Sequence, residues 1–354
     1  MACSAVAFLL IVGCAGKPLL EYSTDTPAMA LLPISKAGLI DGRARFREIF
    51  CAISAARGPE LPDHRPCVDA LVKLSDEGRP TGRPVTLGAG SISLTFLLVP
   101  GVGWDCVEHY LDANQPSANH VANFGYTMKI LDVEPLSSSA RNAELIRDAV
   151  MAMPAPAGEE RLVLLGYSKG APDILEAITA YPELESRITA VVSTAGAIGG
   201  SPLANTSSQD RANLLVSFPG ADCVTGDAGA VESLKPAVRR QWLATHSLPK
   251  SIHYYSLATY PAPERISYLL QASYDKLSQI DPHNDSQLIV HDQFIPGSVL
   301  MGFLNADHWA IAVPISRTHK IMSSTLVNKN DFPREVLLEA MLRFVEEDLS
   351  DSAD

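Results

Sequence analysis

The sequence contains no Cys-x-x-Cys pair, no apolar run long enough to span a bilayer and no excess of basic charge. The first absence argues against a structural zinc site, whose thiolate ligands usually come as closely spaced pairs. The second argues against a spanning helix, which needs about 20 apolar residues. The third argues against nucleic acid as a partner. With 28 Lys and Arg against 40 Asp and Glu, the net charge is −12 and the isoelectric point near 5.2, whereas phosphate binding needs a basic face. Internal repeats and long low-complexity tracts are also missing. What is present is a 354-residue chain, 47% hydrophobic and 19% charged, a composition that buries an ample core. Its length predicts one large domain with additions.

The N-terminus reads MACSAVAFLLIVGCAGKP. An apolar stretch of about 14 residues is too short to span and suits the hydrophobic region of a secretory signal over 1–13. Ile11-Val12-Gly13-Cys14 resembles the lipobox of bacterial lipoproteins, although no Lys or Arg precedes the run. That resemblance implies lipidation at Cys14, export and a membrane anchor. Cleavage before Cys14 removes Cys3 and leaves Cys51, Cys67, Cys106 and Cys223, an even set suited to disulfides in an oxidising compartment. Predicted proximity favours Cys51–Cys67 and Cys106–Cys223, with four buried free thiols as the alternative.

Residues 14–85 read as an N-terminal helical extension, with FREIFCAISAARG and RPCVDALVKL as helices and DEGRPTGRP as a linker. The remainder, 86–350, alternates strands with helices. Strands are expected over 94–99, 126–133, 162–165, 188–194, 253–260 and 298–305, and a further helix over 106–111. This alternation predicts an α/β fold, a doubly wound and mostly parallel sheet covered on both faces. Between 201 and 252 the pattern breaks, which suggests a lid-like insertion over the sheet's carboxyl edge, where such sheets bind ligands.

One stretch carries chemistry. GYSKG, 166–170, follows the apolar run LVLL and precedes Ile174, Leu175 and Ile178 at helical spacing. Ser168 therefore occupies a sharp strand-to-helix turn, between glycines that remove Cβ atoms from a crowded site. A serine nucleophile needs a base. Of nine histidines, His308, in the loop after the last strand, is placed to reach back. The base needs an acid. Asp285 in DPHNDSQL precedes it by 23 positions, with Asp281 and Asp292 as competitors; Asp307, adjacent to the histidine, is poorly placed.

The order Ser168, Asp285, His308 resembles that of the α/β-hydrolases, and within them the bacterial lipases and esterases. NDSQL is similar to their acid segment, with Ser286 where glycine is usual. AGAIGGSPLA (195–204) resembles the segment after their sixth strand. VPGVGW resembles their oxyanion loop, with Pro100 in place of histidine. The resemblance implies an ester hydrolase acting on small-molecule or lipid esters, in which the Val102 and Lys169 amides form the oxyanion hole and no metal or organic cofactor is called for. Acyltransferases and thioesterases use the same triad, and a non-catalytic ligand-binding lipoprotein is the rival from another class. The Lys169 side chain is expected to be solvated, with contact to an anionic substrate as the alternative. Trp104 is expected either to wall an acyl pocket or to belong to the core.

If Cys14 is lipidated, the protein expressed in a bacterial host will fractionate with membranes and Cys14→Ser will not; identical fractionation of the two overturns the lipobox reading.

Overall fold

The computed structural model describes residues 34–104, 115–155, 160–205 and 224–352. The expected signal segment, Cys14, the helix over 106–111, Cys106, Cys223 and part of the expected insertion lie outside the described residues.

The apolar runs form the strands β1 Ile40–Asp41, β2 Leu71–Val72, β3 Leu94–Val99, β4 Thr127–Ile130, β5 Arg161–Tyr167, β6 Ile188–Thr194, β7 His253–Thr259 and β8 Val299–Leu304. They make one eight-stranded sheet in the order β1-β8-β7-β6-β5-β3-β4, with β2 also on β8. The β2–β8 pair is antiparallel and every other pair is parallel. Among the described residues, helices of eight or more residues are α1 Arg43–Arg57, α2 Gln115–Ala122, α3 Ser139–Ala152, α4 Gly170–Ala180, α5 Pro236–Thr245, α6 Gln271–Ser278 and α7 Arg334–Asp351.

Alternation along β5 divides the core. Leu162 and Leu164 join Ile174, Leu175 and Ile178 of α4 and Ile146 and Val150 of α3. Val163, Leu165 and Tyr167 join Phe46, Ile49, Phe50 and Ile53 of α1 and the apolar face of α7. Each such buried side chain stabilises the fold by about 1.5–3 kcal/mol relative to exposure. Coverage on both faces is why the central strand β5 carries the apolar run LVLL. The strands' carboxyl ends are left as the edge at which polar loops can meet.

The N-terminal extension keeps one of its two expected helices, FREIFCAISAARG lying in α1, and departs from the other. The helix expected over 65–74 is only Cys67–Ala70; Leu71 and Val72 then pair with Leu304 and Phe303 on β8. β1 lies along the same side of β8. Ladder hydrogen bonds available at that edge outcompete a lone helix too short to be stable by itself. The expected insertion is partly packed. In α5, Trp242 belongs to the core cluster of α3 and α4, and the Ser201 amide donates to the Leu234 carbonyl at 2.8 Å. No helix among the described residues is long and apolar enough to cross a membrane.

Cys51 on α1 and Cys67 form a disulfide, with Cα atoms 5.1 Å apart and a sequence separation of 16. A loop of that size gains about 3 kcal/mol from the lost entropy of the unfolded chain. The double variant Cys51→Ser/Cys67→Ser should therefore unfold at lower denaturant than the oxidised wild type. Coincident unfolding curves would show that the cross-link is not formed in solution.

Candidate active site

The turn after β5 has the crowding that its glycines imply. A Cβ on Gly166 would overlap Ala171, and one on Gly170 would overlap the Val99 carbonyl oxygen. Ser168 itself adopts φ of 54°, the left-handed region that non-glycine residues seldom occupy. Such strain persists only where surrounding structure holds it. Here the Ser168 amide donates to the Thr194 carbonyl at 3.3 Å, and the Ser168 carbonyl accepts from Ala171 and Ala197 at 3.2 and 3.0 Å. Ala197 belongs to AGAIGGSPLA, so that segment braces the turn from β6. Its Ser201 hydroxyl reaches the Gln287 carbonyl at 2.6 Å, beside the acid loop.

Three of the expected residues meet at the carboxyl edge. His308 Nε2 lies 2.9 Å from Ser168 Oγ, and His308 Nδ1 lies 2.7 Å from Asp285 Oδ2. The imidazole is nearly enclosed and Asp285 fully so. Burial of a carboxylate requires full hydrogen bonding, and Asp285 has it. Its Oδ1 accepts from the Gln287 and Leu288 amides at 2.9 and 2.7 Å. Its Oδ2 also accepts from the Thr259 hydroxyl at the end of β7 and from Gln293 Nε2 at 3.5 Å. His308 is held independently: its amide donates to the Asp285 carbonyl at 3.1 Å, and its carbonyl accepts from the Tyr167 hydroxyl at 2.8 Å. The Tyr167 ring lies 5.3 Å from the imidazole, centroid to centroid. Thr259, Gln293 and Tyr167 were not legible as site residues, because their roles depend on distant parts of the chain arriving together.

The competing acids are engaged elsewhere. Asp281 pairs with His283 at 2.8 Å. Asp307 accepts from the Ser267 and Ala310 amides at 2.9 Å each, which shapes the turn carrying His308. Asp292 packs against Gly199, and burial pushes its carboxyl up to about 7.

The loop after β3 approaches the serine closely. A Cβ at Gly101 would come within 2.8 Å of Ser168 Cβ, and Gly103 takes φ of 71°. Among the described residues, the Val102 and Lys169 amides have no hydrogen-bond partner. The Lys169 side chain is not solvated as expected. It is 1% exposed and folds onto Asp173, which offers a carboxylate one helical turn along. Trp104 is buried with Ile315 and Val327, as the core reading expects, and also lines a cavity of about 60 Å³ with Pro100, Tyr167, Leu338 and Met341.

No protein-family model matches the sequence, and no curated protein matches it. Among solved structures, a metagenomic carboxyl esterase is 40% identical over 93% of this chain and 97% of that one, with a TM-score of 0.84. A lipase of Bacillus licheniformis in mature form is 18% identical over 66% of this chain and 89% of that one, with a TM-score of 0.48. The chain belongs to the α/β-hydrolases, in the family of that metagenomic carboxyl esterase.

Asp285→Asn should lower turnover by orders of magnitude with the fold intact, since an amide favours the wrong imidazole tautomer. Asp292→Asn should change turnover by tenfold or less. The two differ in stability as well. A carboxyl raised from 3.8 to about 7 contributes stability below its unfolded pKa that is lost as pH rises through the folded value. An asparagine lacks that loss, so Asp292→Asn should melt higher than wild type at pH 8, an advantage that shrinks as pH falls and vanishes below the unfolded value of 3.8. Reversed effects of the two variants on turnover would reassign the acid.

Proposed function

We propose that the protein is a serine hydrolase of carboxylic esters, with Ser168 as nucleophile, His308 as general base and acid, and Asp285 as the group that orients the imidazole. The observation that supports this best is the continuous path of hydrogen bonds, 2.9 Å from Ser168 Oγ to His308 Nε2 and 2.7 Å from His308 Nδ1 to Asp285 Oδ2. With Nδ1–H donated to Asp285, the Nε2 lone pair faces the serine hydroxyl and can take its proton.

Ser168 Oγ attacks the acyl carbon as its proton passes to Nε2. Negative charge collects on the former carbonyl oxygen, which the Val102 and Lys169 amides and the N-terminal end of α4 stabilise. Collapse breaks the ester C–O bond; the alkoxide takes the proton from Nε2, and the acyl group remains on Ser168. Water then repeats the sequence and releases the carboxylic acid. Loss of one oxyanion donor typically lowers turnover by about 10²–10³. Export and anchoring through Cys14 belong to this reading as proposals resting on sequence alone.

A fluorophosphonate probe should add once to the wild type, with parallel loss of short-chain ester turnover, and should leave Ser168→Ala unlabelled and inactive. Labelling that survives in Ser168→Ala would remove the serine from the mechanism. An unlabelled wild type that binds esters without turning them over would favour the non-catalytic ligand-binding rival.

A further inference from the structure

The proposed oxyanion donor at residue 169 is an N–H, which any residue type supplies, yet its side chain is a lysine buried at a helix N-terminus. Both circumstances disfavour a cation. The positive end of the helix macrodipole repels it, and desolvation penalises it unless it is paired. The pairing is complete. Lys169 Nζ contacts Asp173 Oδ1 at 2.9 Å and Oδ2 at 2.7 Å. Asn142 of α3 donates Nδ2–H to Asp173 Oδ2 at 2.7 Å, while its Oδ1 accepts from the Glu134 amide at 3.1 Å in the loop after β4. Lys169, Asp173 and Asn142 are all essentially inaccessible to water.

The donating N–H belongs to the peptide between Ser168 and Lys169. In a trans peptide the N–H points opposite to the C=O, so fixing one group aims the other. The Ser168 carbonyl is held by the Ala171 and Ala197 amides, and the Lys169 carbonyl by the Asp173 amide at 3.2 Å. The Lys169 side chain supplies a further anchor, tied through Asp173 and Asn142 to a second helix and to the β4 loop. We propose that Asp173 and Asn142 are positioning residues that, through the Lys169 side chain, hold the Lys169 amide aimed at the developing oxyanion. The proposal rests on the ester-hydrolase reading above. It makes the paired charges a device for catalytic geometry as well as a fold contact.

Breaking a buried pair on one side leaves an uncompensated ion and lowers stability by itself. The informative variant therefore removes both charges: Lys169→Met/Asp173→Leu, which keeps the backbone N–H. Asn142→Ala provides a milder test. We would measure kcat and KM with a short-chain p-nitrophenyl ester, thermal midpoint, and affinity for phenylboronic acid, which mimics the tetrahedral adduct on serine. The double variant should fold with a midpoint near wild type. Its kcat should fall about tenfold to hundredfold with KM within twofold, and boronate affinity should fall in step. Asn142→Ala should show the same pattern at smaller size. A double variant with wild-type kcat, or one that loses kcat while boronate affinity is unchanged, overturns this proposal and leaves the ester-hydrolase reading standing. A wild-type protein inert toward both ester and boronate overturns that reading and this proposal together.

Discussion

Much of the site's geometry depends on one residue held in a conformation it would not choose. Ser168 sits at φ of 54° between a strand and a helix whose backbones come too close for side chains at 166 or 170. Unsupported, a serine in the left-handed region costs of order 1–3 kcal/mol. The turn is therefore held from several directions: by the Thr194 carbonyl, by the Ala171 and Ala197 amides, and by Gly101 packed against the serine side chain. The strain has a geometric yield. It lifts the hydroxyl off the sheet edge and places the next amide at the start of α4, where a developing negative charge is favoured.

The parallel sheet makes the remaining coincidences possible. Strands β3, β5, β6, β7 and β8 all run the same way, so the loops after them open on one edge. The loop carrying Gly101 and Val102 follows β3, Ser168 follows β5, AGAIGGSPLA follows β6, Thr259 ends β7, and His308 follows β8. Asp285 comes from the long connection between β7 and β8 and is fixed by the Gln287 and Leu288 amides, Thr259, Gln293 and His308. A core packed on both faces keeps these loop origins in register. Within that frame, distances near 3 Å between residues 140 positions apart can be maintained.

Much of this was legible because the signals are local. Apolar runs placed the six main strands to within a few residues, since strands buried in a parallel sheet are rich in apolar residues. GYSKG was legible because strand, turn and helix each leave a pattern within a dozen residues. His308 and Asp285 followed from order along the chain and from polar loop context. Other features were not legible, because they arise only on folding. Leu71 and Val72 look like the end of a helix until β8 offers them an edge. Lys169 looks solvated until Asp173 turns towards it, although Lys-x-x-x-Asp at helical spacing was the available clue. Thr259 and Gln293 carry no mark as partners of Asp285, and Tyr167 reads simply as the last apolar residue of a strand.

On the proposed ester-hydrolase reading, an acyl group passes through covalent attachment to Ser168. Rapid acid quench during turnover of a p-nitrophenyl butyrate substrate, followed by peptide mass spectrometry, tests it most directly. The account predicts one butyryl group on the peptide containing Ser168, accumulating with a burst of p-nitrophenol and persisting longer when deacylation is slowed. Turnover with no acylated peptide at any quench time, or with the acyl group on another residue, would contradict it.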